Sequence, residues 1–148
     1  MKKKRERRKP LSGTTPWLAR VRRYFSRRPE VLSVYLFGSR ASGRATPRSD
    51  TDIAVLIKPS GRRSDFDRQL SYSHDLERIL NSEVDVAVLN HADPFLTQQV
   101  FTKGKSILVR NRKGAEELKW RLIRGYWDFI PIKRIMDDTA IARLQRGH

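Results

Sequence analysis

The 148-residue sequence has room for one domain with a hydrophobic core, but not for two large domains. It contains no cysteine, which excludes disulfides and thiolate metal sites, and no apolar run is long enough to span a bilayer. The net charge is +16, and residues 1–28 supply +11 of it through twelve Lys or Arg against one Glu. Such a basic end binds nucleic acid or an acidic partner, or stays a solvated arm.

The N-terminal segment 1–14 combines this charge with few apolar residues, so we expect a basic, disordered tail. No apolar signal segment follows it, which predicts a cytoplasmic protein without a membrane anchor. A single domain is expected over residues 15–148. Thr15-Pro16 is typical of a helix start, and the apolar spacing after it predicts a helix over 16–28.

Two strands are predicted next, on either side of a polar segment. Val31 to Phe37 is rich in β-branched and aromatic residues, and Gly38-Ser39 ends it. Ten residues separate Ser39 from Asp50, and an apolar strand runs over Asp52 to Ile57.

The rest of the chain alternates helices and strands. Ser64 is expected to cap a helix that runs to about Leu80 and points Phe66, Leu70, Leu76 and Leu80 at the core. The later predicted elements are a strand at Val84–Leu89, a helix from Asp93-Pro94 to Gly104, an edge strand at Ser106–Val109, a helix over 114–129, an interruption at Pro131 and a helix over 132–145. This order predicts an α/β (α+β) domain with a small mixed sheet and helices packed on it.

Asp50 and Asp52 carry the first chemical signal. Residues two apart on a strand point the same way, so their carboxylates project together. Two adjacent carboxylates repel, and a divalent cation removes that cost. Magnesium takes hard oxygen ligands and shares one or two carboxylates with substrate phosphates, so the pair suggests a metal with a triphosphate.

Gly38 and Ser39 are candidates for the phosphate end of such a site. Glycine allows close approach of the backbone, and amides at a turn together with a serine hydroxyl can donate to phosphate oxygens. Arg40 follows, and Arg44 and Arg48 lie in the same segment, where guanidinium groups can hold phosphates or remain ordinary surface charge.

Asp85 is the third candidate carboxylate. It precedes Ala87 on the strand face opposite to Val84 and Val86. It lies either at an exposed strand end or, if this strand neighbours the Asp52 strand, in one cluster with Asp50 and Asp52. There it would bind a second cation and draw the proton from an acceptor hydroxyl.

The Gly38-Ser39 turn, the ten-residue spacing, Asp50-x-Asp52 and the later strand aspartate Asp85 resemble the nucleotidyltransferase superfamily that includes DNA polymerase β. The short single domain is similar to the minimal nucleotidyltransferases, and most similar to the MntA-type antitoxins that pair with HEPN toxins. Three stretches carry this closer resemblance: GSRASGRATPRSDTDIAVL, LERILNSEVDVAVLN and GYWDFIPIKRIMDD.

The resemblance implies a polymerase β-like fold and AMP transfer from ATP to a tyrosine of a cognate HEPN RNase toxin, which is thereby inactivated. Asp50, Asp52 and Asp85 would be the catalytic and magnesium-binding residues and would hold two ions, and Gly38, Ser39 and Arg40 would bind the nucleotide. The chain would form a hetero-oligomer with the toxin.

Other functions stay open at this point. The acceptor can be a small aminoglycoside-like hydroxyl compound or an RNA end, or the chain can be a non-catalytic toxin binder or a nucleic-acid-binding module. The three histidines, His74, His91 and His148, show no zinc-ligand spacing and are expected at the surface or in packing. The C-terminal aromatics, including Trp120 and Trp127, are expected in the core, with a docking surface for the partner or base stacking as alternatives.

Overall fold

The computed structural model describes residues 15–146, except for some side chains from residue 129 onward. The basic segment 1–14 and His148 lie outside this range, so the predictions for them stay predictions. The elements are α1 (Pro16–Ser26), β1 (Val31–Phe37), α2 (Ser39–Ser42), β2 (Thr51–Ile57), α3 (Arg62–Leu80), β3 (Val84–Val88), a 3-10 turn (Leu89–His91), α4 (Pro94–Lys103), β4 (Lys105–Val109) and α5 (Arg112–Arg146).

The four strands form one mixed sheet in the order β3-β2-β1-β4. Strand β1 runs antiparallel to both β2 and β4, while β2 and β3 are parallel and are joined by α3. The small mixed sheet predicted from the sequence is therefore confirmed. None of the described helices combines the length and apolar character that crossing a bilayer requires.

Helices cover both faces of the sheet, which is why β1 reads as a continuous apolar run. On one face, Ile53 and Val86 pack with Phe25 of α1 and Leu76 of α3. On the other face, the core contains Ala54, Leu56, Tyr35, Val100 and Leu118, the last two from α4 and α5.

Helix α3 differs from its prediction. It begins at Arg62 after Gly61, not at a Ser64 cap, and the side chains of Phe66 and Leu70 are 57% and 55% exposed. Leu76 is buried and Leu80 packs against the core, as predicted, but their buried neighbour on the helix is Tyr72. A helix turns about 100° per residue, so a six-residue spacing rotates Phe66 from Tyr72, and Leu70 from Leu76, by about 120°.

The two helices predicted at the C-terminus are one. Helix α5 continues through Pro131, although proline lacks the N–H that would bond to the carbonyl four residues earlier. Pro131 is exposed, so its ring meets solvent and not a packed neighbour. The predicted core packing of Trp120 and Trp127 is wrong as well, because they are 58% and 66% exposed.

Candidate active site

The turn after β1 requires glycine. Gly38 has φ +71° and ψ −154°, a backbone conformation that residues with a Cβ rarely adopt. A Cβ at this position would also collide with the carboxylate of Asp52, with its Cγ only 3.1 Å away. The turn and the Asp52 carboxylate are therefore packed directly against each other.

Ser39 opens the single-turn helix α2. The amides of Ala41 and Ser42 both donate to the Gly38 carbonyl at 3.2 Å, and the Arg44 amide donates to the Ser39 carbonyl at 3.1 Å. These bonds fold the chain back, so that Gly38 and Ser39 lie at the mouth of the turn, next to Asp52.

Arg40 supports the segment that leads to Asp50. Its Nη2 donates to the Ser49 carbonyl at 2.8 Å, and its guanidinium lies 5.7 Å from the ring centroid of Trp17. The buried Nε has no hydrogen-bond partner in the described part of the chain. These contacts give Arg40 a structural role, and its contact with a nucleotide stays a prediction.

Two of the three aspartates are direct neighbours in the sheet. Asp52 pairs with Asp85 in the parallel register of β2 and β3, and with Phe37 at the end of β1. Residues that pair across adjacent strands share a face, so both carboxylates lie on the face that α4 and α5 cover further along. Asp85 is exposed and Asp52 is half-buried.

The electrostatics of Asp52 reflect this arrangement. Burial first, and then the negative charges of Asp85 and Asp50, raise the pKa of Asp52 above its usual value. Asp50 lies just before β2 and is exposed. The ionised form of Asp52 is therefore destabilised, and a bound cation would offset this destabilisation.

A fourth acid, Glu83, belongs to the same edge and was missed from the sequence. A hydrogen bond with Asp50 and the charge of that residue raise the pKa of Glu83. Thr51 pairs with Val84, and Asp52 with Asp85, in the parallel register of β2 and β3. Continued back by one residue, this register places Glu83 opposite Asp50, so Glu83-x-Asp85 lies alongside Asp50-x-Asp52. The repeated acid-x-acid pattern was the signal that would have found it.

These oxygens suit a hard divalent cation. Among the side chains that the structure describes, no three carboxylates or imidazoles already form a compact metal-binding cluster. Magnesium does not need one, because it commonly takes one or two carboxylates and completes its octahedron with substrate phosphates and water. Asp52 and Asp85 on one face, with Asp50 beside them, fit that mode of binding.

His74 and His91, the two histidines within the described residues, are not part of this cluster of acids. His74 is exposed on α3, and His91 contacts Asp65 at 2.6 Å. Of the C-terminal aromatics, Tyr126 packs edge-on against Phe95 at 5.6 Å between ring centroids, while Trp127 points outward.

Comparisons with known proteins agree with this geometry. The family model described as "Polymerase beta, Nucleotidyltransferase" matches residues 19–113, more than half of the chain. A curated relative, the protein adenylyltransferase MntA of Shewanella oneidensis (strain MR-1), is 37% identical over 79 residues, which are 53% of this chain and 55% of the relative. The chain is thus matched over about half the length of that relative.

Solved structures extend the likeness to most of the fold. A chain of a toxin–antitoxin complex with AMP-PNP is 28% identical with a TM-score of 0.66, over 84% of this chain and 97% of that one. A chain of the complex between a tri-AMPylated Shewanella oneidensis HEPN toxin and an MNT antitoxin is 25% identical with a TM-score of 0.60, over 83% and 98%.

Proposed function

Because the chain belongs to the polymerase β nucleotidyltransferase family, we propose that it is an antitoxin that transfers AMP from ATP to a tyrosine of a partner HEPN toxin. The observation that carries the proposal is the in-register pair Asp52 and Asp85 beside the Gly38 turn. The relative named as a protein adenylyltransferase, and the AMPylated toxin in a structure similar to this chain, support the choice of reaction and partner.

The three aspartates would hold magnesium as two ions, which would supply positive charge to the phosphates and lower the pKa of the attacking hydroxyl. Asp50 and Asp52 would hold the ions at the α-phosphate end of ATP, and Gly38 and Ser39 would donate to the distal phosphates. Asp85 faces the incoming hydroxyl and accepts its proton on a carboxylate oxygen.

The reaction is one in-line displacement. The phenol oxygen of the acceptor forms a bond to the α-phosphorus of ATP, and the bond from that phosphorus to the bridging oxygen of the β-phosphate breaks. Pyrophosphate leaves with the electron pair, and the proton of the phenol passes to Asp85 and then to water. Positioning and charge stabilisation supply most of the rate in such transfers.

The chain would act in the cytoplasm as a hetero-oligomer with the toxin. Nucleic-acid binding by the basic segment 1–14 stays a prediction.

The test is co-expression with the product of the neighbouring open reading frame, which we expect to be a HEPN-type protein, followed by mass spectrometry of that product. We expect the mass of one or more AMP groups on tyrosine with the wild type and with the control Asp67→Asn, which changes an exposed α3 carboxylate. Asp52→Asn should abolish the modification without loss of fold. AMP on the partner with Asp52→Asn, or silencing of the partner without any AMP, contradicts the proposal, and the second result would favour a non-catalytic binder.

A further inference from the structure

A pocket of about 480 Å³ opens beside Asp85, on the outer side of the sheet. Its floor is β3, one wall is the start of α3, and the other is the segment from the 3-10 turn into α4. Asp85 and Ala87 contribute the floor, Phe66 one wall, and Leu96 the other. The volume lies within the range of about 300–1,000 Å³ that is common for small-ligand sites.

The walls are held by specific contacts. His91 Nε2 lies 2.6 Å from Asp65 Oδ2, which joins the α4 side of the pocket to the α3 side. Asp65 is 1% exposed, and its other oxygen accepts from Ser60 Oγ at 2.7 Å. Asn90 bonds twice to the backbone of Ile57, at 3.1 and 2.8 Å, which anchors the turn that carries His91.

The edge of β3 is already covered, which limits what enters. The Val86 amide donates to Ser73 Oγ at 3.1 Å and the Val88 amide donates to Gln69 Oε1 at 3.0 Å, so neither is free to pair with an additional strand. A ligand therefore reaches Asp85 as an inserted group and not as an added strand.

The order of Gly38, Asp52, Asp85 and the pocket across the sheet indicates which of the two substrates binds on the pocket side. Gly38 adjoins Asp52, and Asp52 adjoins Asp85 on the next strand, about 4.8 Å further along the sheet. The pocket continues in the same direction beyond Asp85. In-line displacement places the attacking oxygen opposite the leaving group, so pyrophosphate on the Gly38 side requires the acceptor to arrive from the pocket side.

The chemistry of the lining favours a neutral aromatic hydroxyl. Phe66, Ala87 and Leu96 supply apolar surface. The three carboxylates of the lining, on Asp65, Asp85 and Asp93, outnumber its one guanidinium, on Arg62, so the pocket carries net negative charge that disfavours phosphorylated groups. We propose that this pocket binds the acceptor tyrosine side chain, with Phe66 as its aromatic wall contact. The inference rests on the proposed function and adds to it the site on this chain that selects a phenol over an anionic acceptor.

Helix α3 provides a matched pair of variants for the test. Phe66 and Leu70 are one turn apart and equally exposed, at 57% and 55%, but Phe66 lines the pocket and Leu70 is outside its lining. Neither is in the core, so Phe66→Ala and Leu70→Ala should both fold.

The binding experiment uses the full chain, labelled with nitrogen-15, with magnesium and α,β-methylene-ATP, and titrates N-acetyl-L-tyrosinamide. We expect saturable amide shifts at Ala87, Val88, His91 and Leu96. Phe66→Ala should weaken binding about fivefold, as loss of one aromatic contact would, and Leu70→Ala should leave it within about twofold. The O-phosphorylated probe should bind at least about tenfold more weakly, because about 1.4 kcal/mol of repulsion gives that factor.

Several results would overturn the inference: no saturable binding by the wild type, shifts confined to other surfaces, equal effects of the two alanine variants, or equal binding of the phosphorylated probe. The experiment involves no turnover, so it is separate from the proposed function. Absence of AMP transfer by the wild type, with the phenol bound in the pocket, would contradict the proposed function alone. Normal transfer to the partner by Phe66→Ala, with wild-type KM, would contradict the pocket alone.

Discussion

Replacement of Gly38 by alanine tests how tightly the turn is coupled to Asp52, the proposed catalytic carboxylate. The backbone at φ +71° and ψ −154° costs a residue with a Cβ about 1–3 kcal/mol. The new methyl group also lies 3.1 Å from Asp52 Cγ and closer still to its carboxylate oxygen, so Asp52 has to move. A displacement near 1 Å costs about a hundredfold in rate, and we expect a loss of AMP transfer of at least that size.

Two comparisons separate backbone strain from the collision. Gly43 also has positive φ, +76°, but nothing lies within 4 Å of a Cβ there, so Gly43→Ala should cost only about 1–2 kcal/mol and spare transfer. In an Asp52→Ala background, Gly38→Ala should be milder by about 0.5–3 kcal/mol, measured by urea unfolding as a double-mutant cycle. A coupling energy near zero, together with wild-type transfer by Gly38→Ala, would refute the reasoning.

Three further outcomes follow from the contacts. Asp52→Asn should reduce transfer roughly a thousandfold or more. Because burial and neighbouring acids raise the pKa of Asp52, the wild-type protein loses unfolding free energy as pH rises from the usual aspartate range through the raised pKa, and the variant should not show this loss. A variant that is less stable than the wild type at neutral pH would contradict this. His91→Ala should lower the free energy of unfolding in urea by about 1–3 kcal/mol, because the buried Asp65 carboxylate loses a hydrogen-bond partner. The exposed control His74→Ala should cost about 0.5 kcal/mol or less. Equal costs would show that the His91–Asp65 contact does not stabilise the fold. Tyr24 donates to Asp75 at 2.6 Å, and this hydrogen bond is the main cause that lowers the pKa of Asp75. Its stabilisation is present above the pKa of Asp75 in the unfolded chain and is lost as pH falls through the pKa in the folded protein. Tyr24→Phe should therefore reduce the loss of unfolding free energy at acid pH, and an unchanged loss would argue against the bond.

Much of the fold could be predicted because its strands are strongly apolar and are bounded by turn residues. Val31–Phe37 was predicted with the observed bounds, and Asp93 caps α4 through the Phe95 amide as the Asp-Pro pair indicates. The buried face of α3 was predicted correctly at Leu76 and Leu80 but not at Phe66 and Leu70. Apolar residues lie on more than one side of this helix, and only its packing against α1 and β3 decides that Tyr72 is buried and Phe66 is not.

The candidate site was predictable in its residues but not in all of its surroundings. Gly38, Asp52 and Asp85 each lie at or next to the end of a strand that the sequence predicts, so their positions could be predicted from the sequence. Glu83 was missed because a single glutamate before a strand is usually a solvated residue. The pocket depends on a contact between Asp65 and His91, which are 26 residues apart, and no sequence period connects them.

The parallel register of β2 and β3 is the feature on which the chemistry depends. With Asp52 opposite Asp85, every second residue of β3 after Asp85 lies on the carboxylate face, and Val84, Val86 and Val88 enter the core. A slip of one residue would turn those valines to solvent and bury Asp85 among apolar side chains, which is costly for an ionised group. Packing of the three valines therefore fixes the position of Asp85, and the core keeps the proposed nucleotide side at Gly38 apart from the pocket beyond β3.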